Sequence, residues 1–500
     1  MKSHVIKNTT INFISQCVSM GANFFLVAYL VNNLGAEQYG ILILVYSLVT
    51  AADFFSHGIG TAVVKYAAHY KAKEEFSKIN EVINSAMLFF VVQGIVTSAI
   101  LFAVIFIFID SIFNIPAQHI QEIKSLGFIL LGYLFTELLS SPFCRLLEGF
   151  QRYDFLRLIE ITKKILLVLL VFFYGKGLVY IGAAYVISSS VMGASALFLA
   201  HGVFKYRIGF SYINKAMCRE VINFAWPQFI TKITGFLGNK ADVFLIGIFL
   251  QPFYITVYNI AYQFYMLVTT VINLFGSALL PHVSELHSRN SRDTINRLYL
   301  TGTRYSMFVS IPLVISSFFL AEPFLKAWVG DDFVKYGYLV QLYMITGLFM
   351  ATRVVAVQIS VSLDIIRHLV KYYTLGGIIN FLVSAILIQY IGITGNVVGT
   401  LVGYLFIWYP SNQMLLKKLS IKSGQFISSI IVRPGISILA ALPALLLFKI
   451  LAVPESLYTV LLYECCYAVL YAVSFFYIGF DKIERKEIVG IARQILFKTS

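Results

Sequence analysis

Two positive side chains stand inside apolar runs, where a charge is expensive. Lys232 lies ten or so residues into the run 222–249, about 15 Å deep at roughly 1.5 Å per helical residue. Arg353 lies at similar depth in the run 338–360. Leaving both in hydrocarbon would cost about 5–7 kcal/mol, so the pair points to a hydrated cavity. The alternative is an internal ion pair with Asp53, Glu137 or Asp242. Polar residues at helical spacing surround this chemistry. Asn8, Asn12, Ser15, Ser19 and Asn23 recur every three or four positions, and Gln228, Lys232, Gly235, Asn239 and Asp242 repeat the rhythm later in the chain. Such a stripe has to face protein or water. Helix–helix adhesion is the plainer reading of the first stripe. Asp53 and His57, four apart, share a helix face and could relay a proton or cation, or simply be satisfied interior groups.

The elements that position these groups are membrane helices. The chain has 500 residues, 59% hydrophobic and 12% charged, with mean hydropathy +0.81. A soluble chain would be about 25% charged. Apolar runs recur at 8–31, 39–62, 82–109, 123–142, 161–175, 178–201, 222–249, 256–284, 301–321, 338–360, 372–390, 395–416, 432–451 and 456–480. They predict an all-α polytopic membrane protein of about 14 spans. The first twelve read as six helices repeated at an offset of about 219 residues, which is the signature of a parallel-repeat transporter. Tyr39 matches Tyr258, and the VYIGAAYV run from Val179 matches the NVVGTLVG run from Asn396. The expected domains are 1–215, 216–425, and an extra helix pair with tail at 426–500.

The net charge of +14 does not point to nucleic acid. Most Lys and Arg fall on one side of the alternating topology, including the loops 65–78, 145–164 and 205–219 and the basic tail from Lys482. The positive-inside rule then puts both termini in the cytoplasm. The five cysteines include no CxxC pair, and Cys144 and Cys218 are expected in cytoplasmic loops, so no metal or disulfide framework is implied. GxxxxGK[ST], Rossmann, HExxH and GxSxG patterns are absent. ATP-driven transport and common hydrolytic chemistry therefore lack a carrier, and no cofactor is expected. Outward loops are short, which weighs against a membrane enzyme acting on lipid-linked sugars.

The runs LGAEQYG from Leu34, HGIGTAVVKYAA from His57, EGFQRYDFLRLIEITKK from Glu148, and FAWPQ with NKADVFLIG between Phe224 and Gly247 resemble the polysaccharide, or O-antigen, lipid-carrier flippases of the multidrug, oligosaccharidyl-lipid and polysaccharide exporter superfamily. The resemblance covers essentially the whole chain. It implies two six-helix halves plus two helices in the bacterial inner membrane, moving an undecaprenyl-pyrophosphate-linked oligosaccharide outward by alternating access. A functional monomer is implied, with polysaccharide polymerase and chain-length machinery as partners besides lipid. On that resemblance Lys232 and Arg353 are headgroup cations and Lys240 a secondary one. Asn12, Asn23, Gln228 and Asn239 line the pathway, and Lys65 and Arg304 mark its cytoplasmic mouth. Asp53, His57, Glu137 and Asp242 serve coupling or gating, and Asp242 matches an acidic position common in helix 7 of the family. Helix 1 carries Asn and Ser where the peptidoglycan-precursor flippases carry Arg, a departure that argues against a peptidoglycan substrate. The competing reading is a cation-coupled multidrug exporter of the same superfamily, which would need an anionic cavity.

Overall fold

In the computed structural model, the backbone is described for residues 2–51, 53–288, 292–363, 365–451, 456–482, 484–486 and 488–490. Side chains are described for these residues except 2–14, 53–55, 230–235, 237–239, 274–288, 292–293, 366–367, 444–445 and 447–451. The helices, in chain order, are α1 (Lys2–Leu34), α2 (Ala36–Thr50), α3 (Asp53–Ala72), α4 (Phe76–Phe106), α5 (Ile109–Ile112), α6 (Ile120–Gly149), α7 (Tyr153–Tyr174), α8 (Leu178–Val203), α9 (Lys215–Asn239) and α10 (Ala241–Phe249). They continue as α11 (Pro252–Ser288), α12 (Arg292–Phe319), α13 (Ala321–Val329), α14 (Gly337–Ser362), α15 (Ile366–Ile391), α16 (Ile393–Lys418), α17 (Ser423–Phe426), α18 (Arg433–Leu451) and α19 (Leu457–Ile478). A π-helical stretch, Ile427–Val432, joins α17 to α18.

No strand occurs among the described residues. In lipid a backbone must satisfy its own polar groups, and long runs of Leu, Ile, Val and Phe do so as helix. Nine helices among the described residues are long and apolar enough to cross a membrane. A tenth is added if Thr294–Phe319 and Ala321–Val329, bent by 75°, make one span. The apolar runs read from the sequence are largely helical where the backbone is described, but not always unbroken. The run 39–62 divides between α2 and α3. The run 222–249 divides at Lys240, which ends α9 and precedes α10. Between α1 and α2 the turn is made by Gly35 at φ 85°, a left-handed conformation that suits glycine in the LGAEQYG run.

The chain forms two compact units, residues 1–259 with 388–393, and residues 260–387 with 394–500. In the first, α6 packs on α4, α8 and α3, α7 lies against α8 and α1, and α9 lies against α3 and α4. A Cβ at Gly58 of α3 would meet the Ala225 carbonyl oxygen of α9 at 2.6 Å, so these two helices approach backbone to backbone. In the second unit α12 packs on α14, α18 and α19. Gly376, Asn380 and Ser384 of α15 oppose Ile407, Gly403 and Gly399 of α16, one small-residue row set in another. The Ser384 hydroxyl donates to the Asn396 carbonyl at 3.1 Å.

Within the first unit the start of α2 meets the start of α11. Thr256 Oγ1 donates to the Ala36 carbonyl at 2.5 Å, and Tyr39 Oη donates to Asn259 Oδ1 at 2.9 Å; each pair is 220 residues apart. Gly40 lies at this contact, where an added Cβ would fall 1.9 Å from the Pro252 carbonyl oxygen. Gly40→Ala should therefore destabilise the protein by about 1–3 kcal/mol through overpacking. Gly202→Ala, at a site with nothing within 4 Å, should not destabilise it. Thermal melts of the two variants in detergent test this, and a Gly40→Ala melt equal to wild type would refute the close contact.

Candidate functional site

Arg353 belongs to α14 in the second unit. Its guanidinium stands over the rings of Tyr373 and Tyr404, 4.7 and 5.4 Å from their centroids. One terminal nitrogen, Nη1, donates to Tyr404 Oη at 3.1 Å. Its Nε is buried with no hydrogen-bond partner among the described residues. No carboxylate pairs with Arg353 there. A cavity of about 200 Å³ opens beside it, lined by Asn273, Met350, Arg353, Val354, Val357, Gln358 and Tyr404. The arrangement holds a full positive charge with ring faces and a phenol, which leaves its field available to a ligand. Neither Tyr373 nor Tyr404 was legible as a partner from sequence, because each lies on a different helix from Arg353 and no local spacing links them.

The first unit holds a second polar centre. Lys163 of α7 forms an ion pair with Glu137 of α6, and Ser189 of α8 donates to the same carboxylate oxygen. Thr136 Oγ1 donates to Ser189 Oγ at 2.8 Å. Lys164 donates to Asn23 of α1. The loop 145–164 was expected to keep both lysines in the cytoplasm. Instead α6 continues to Gly149 and α7 begins at Tyr153, so they become the eleventh and twelfth residues of the 22-residue α7. The helix continues because its charges find partners. Arg157 pairs with Glu160 at 2.5 Å three residues on, and Lys163 and Lys164 reach α6 and α1. Cys144, also expected in a cytoplasmic loop, is buried in α6, and Cys218 lies in the first turn of α9. The signal for the lysines was present as a Lys-Lys pair heading ILLVLLVFF, but the charge count assigned it to topology.

The remaining expected residues are placed as follows. Asp242, 2% exposed, accepts a hydrogen bond from Tyr258 Oη at 3.1 Å. Lys240 is exposed at the α9–α10 junction, and Gln228 is half-buried in α9. His57 lies in α3, where its carbonyl accepts from Thr61 Oγ1 at 2.6 Å. Lys65 is exposed, its ammonium over the rings of Tyr66 and Phe224. The side chains of Lys232, Asn239, Asn12 and Asp53 lie outside the described residues. Arg304 is 8% exposed and is held by the tail, 2.6 Å from Glu484 Oε1 and 3.7 Å from Asp481 Oδ2. Its guanidinium is thus already engaged by carboxylates that the sequence reading did not pair with it.

The profile of a protein family described as polysaccharide biosynthesis protein matches residues 5–287. The chain belongs to that family. Its relatives include the "Probable low-salt glycan biosynthesis flippase" of Haloferax volcanii, 23% identical over 45% of this chain and 50% of that protein. An uncharacterized membrane protein of Methanocaldococcus jannaschii is 21% identical over 76% of this chain and 79% of that one. The teichuronic acid biosynthesis protein TuaB of Bacillus subtilis is 26% identical over 33% of this chain and 34% of its own. The matched stretch thus spans half the length of the first of these relatives and a third of the last. In fold, the family member is similar to the lipid II flippase MurJ in an inward closed conformation, with TM-score 0.72 and 14% identity over 94% of this chain and 99% of that one. A multidrug transporter of the MATE family in an inward-facing conformation shares the fold at TM-score 0.64 and 15% identity, over 82% and 98% of the two chains. These likenesses establish a polytopic membrane fold found in transporters.

The tail contact gives a direct test. Arg304→Ala leaves Glu484 buried without its charge partner and should cost about 3–5 kcal/mol, whereas Arg304→Met with Glu484→Leu should recover most of that loss. Thermal melts of the single and double variants measure the coupling. Equal melts for wild type and Arg304→Ala would rule out the buried pair.

Proposed function

We propose that this protein is a flippase that carries an undecaprenyl-pyrophosphate-linked oligosaccharide, an O-antigen or other surface polysaccharide repeat unit, across the bacterial inner membrane by alternating access. The observation that carries this reading is Arg353, a cation held by neutral rings beside a cavity and unpaired by any carboxylate among the described residues. A diphosphate headgroup cannot cross about 30 Å of hydrocarbon unaided. A fixed guanidinium offers it two parallel donors in a low-dielectric setting, which is the geometry phosphate oxygens favour. The aromatic residues around Arg353 suit the faces of sugars, while the prenyl tail remains in lipid.

Lys232 acts as the second headgroup cation and Lys240 as an accessory one. The repeats 1–215 and 216–425 are the moving bodies, with 426–500 as an added helix pair and tail. Both termini face the cytoplasm, the working unit is a monomer, and polysaccharide polymerase and chain-length machinery receive the product. Asp53, His57, Glu137 and Asp242 serve coupling or gating, with energy drawn from ion gradients or from substrate supply. The kinship in fold with MATE transporters keeps a cation-coupled drug exporter as the second reading. That activity would favour an anionic pocket, and Arg353 gives the opposite sign.

In a strain deleted for the gene, Arg353→Ala and Lys232→Ala should each lower surface polysaccharide more than about tenfold at unchanged membrane abundance, corresponding to at least about 1.4 kcal/mol of lost stabilisation. Arg353→Lys should restore export only in part, because a lysine lacks the planar stack. Full export by both alanine variants would sink the site. Altered resistance to cationic amphiphiles with polysaccharide intact would favour the drug-exporter reading.

A further inference from the structure

The centre around α7 carries charge that its own neighbours do not neutralise. Lys163 and Lys164 stand at the middle of a 22-residue helix, packed against α1, α6 and α8. Glu137 cancels one of them. Lys164 donates to the neutral amide oxygen of Asn23, and it makes no ion pair among the described residues. Arg157 and Glu160, nearer the start of α7, are paired with each other. A net positive charge therefore remains at the middle of α7.

The same centre has the means to exchange one anion for another. Its carboxylate is not sealed, with Glu137 23% and Lys163 20% exposed. Ser189 Oγ and Thr136 Oγ1 form a donor chain that ends on the carboxylate. The Lys163 ammonium also lies 5.3 Å from the centroid of the Tyr133 ring, and Tyr133, Tyr46 and Tyr185 form an aromatic wall with centroids 4.9–5.8 Å apart.

We propose that Lys163, Lys164, Asn23 and Ser189 form a diphosphate-binding site within the first unit, in which Glu137 stands in for the phosphate until the headgroup displaces it. This rests on the reading of the protein as a carrier of diphosphate-linked glycans, and adds a site within the first unit. When the headgroup arrives, its oxygens take the donors of Lys163 and Ser189 and the unspent charge of Lys164. The Glu137 carboxylate swings out, and the tyrosines face the first sugar. Glu137 sets affinity by competition: it keeps Lys163 compensated while the site is empty and weakens binding enough to allow release.

Inorganic pyrophosphate binding to the purified full-length protein in detergent, measured by calorimetry, tests this. Lys164→Met should weaken binding about tenfold, Glu137→Gln should tighten it about threefold, and Lys164→Arg should keep it near wild type, as expected for charge-assisted contacts. If Lys164→Met does not fold, the double variant Lys163→Met with Glu137→Leu removes the pair as a neutral unit and should weaken binding by a similar factor. Wild-type affinity in Lys164→Met and Glu137→Gln, or in the double variant, overturns the proposal. Arg353→Ala in the same assay separates the two claims. Loss there with Lys164→Met unchanged leaves the flippase reading standing and removes this site. Loss in Lys164→Met with Arg353→Ala unchanged keeps this site and removes the Arg353 assignment. Absence of pyrophosphate binding to wild type overturns both.

Discussion

A charge on a helix packed among apolar helices must be solvated by partners, and the arrangement of this protein follows from how each such charge is met. Four answers occur, and one of them is the neutral amide of Asn23 that accepts from Lys164. Arg304 is met by carboxylates of the tail, which closes it off. Lys163 is met by Glu137, which leaves it partly accessible. Arg353 is met by aromatic faces and one phenol, which stabilise the cation without cancelling it. Lys164 and Arg353 thus keep a positive charge that no carboxylate cancels among the described residues, so the mode of compensation says more about a charge than its burial does.

The rest of the fold serves to bring those partners within reach. Lys163 reaches Glu137 because α6 and α7 are joined by a turn of only a few residues and both lie on α8. Arg353 reaches Tyr373 and Tyr404 from three separate helices. The close approach of α15 and α16 comes from glycine and serine rows, since lipid gives apolar helices no solvent-driven reason to associate. Small residues thus set distances, and large polar ones are positioned by them.

Much of this was legible in the chain itself. Apolar runs located the helices, because internal hydrogen bonding is the one solution lipid permits. Arg353 stood out as a charge within such a run, and a cavity lies beside it. What the sequence did not disclose were the partners. Lys163 and Lys164 looked like loop charges because a positive residue near a span end serves topology as well as chemistry, and hydropathy cannot tell the two apart. The tail carboxylates that hold Arg304 are separated from it by well over a hundred residues, and nothing in their local pattern beyond an Asp481–Glu484 helix cap marks them out.

The contacts of Ala36 with Thr256 and of Tyr39 with Asn259 tie together stretches 220 residues apart. The entropic cost of closing so long a loop grows only slowly with its length, so the distance in sequence is little obstacle to the pairing once both ends exist. During synthesis, however, the close approach at Gly40 has no partner until Pro252 has been made, and that face of α2 stays uncovered for nearly half the length of the chain.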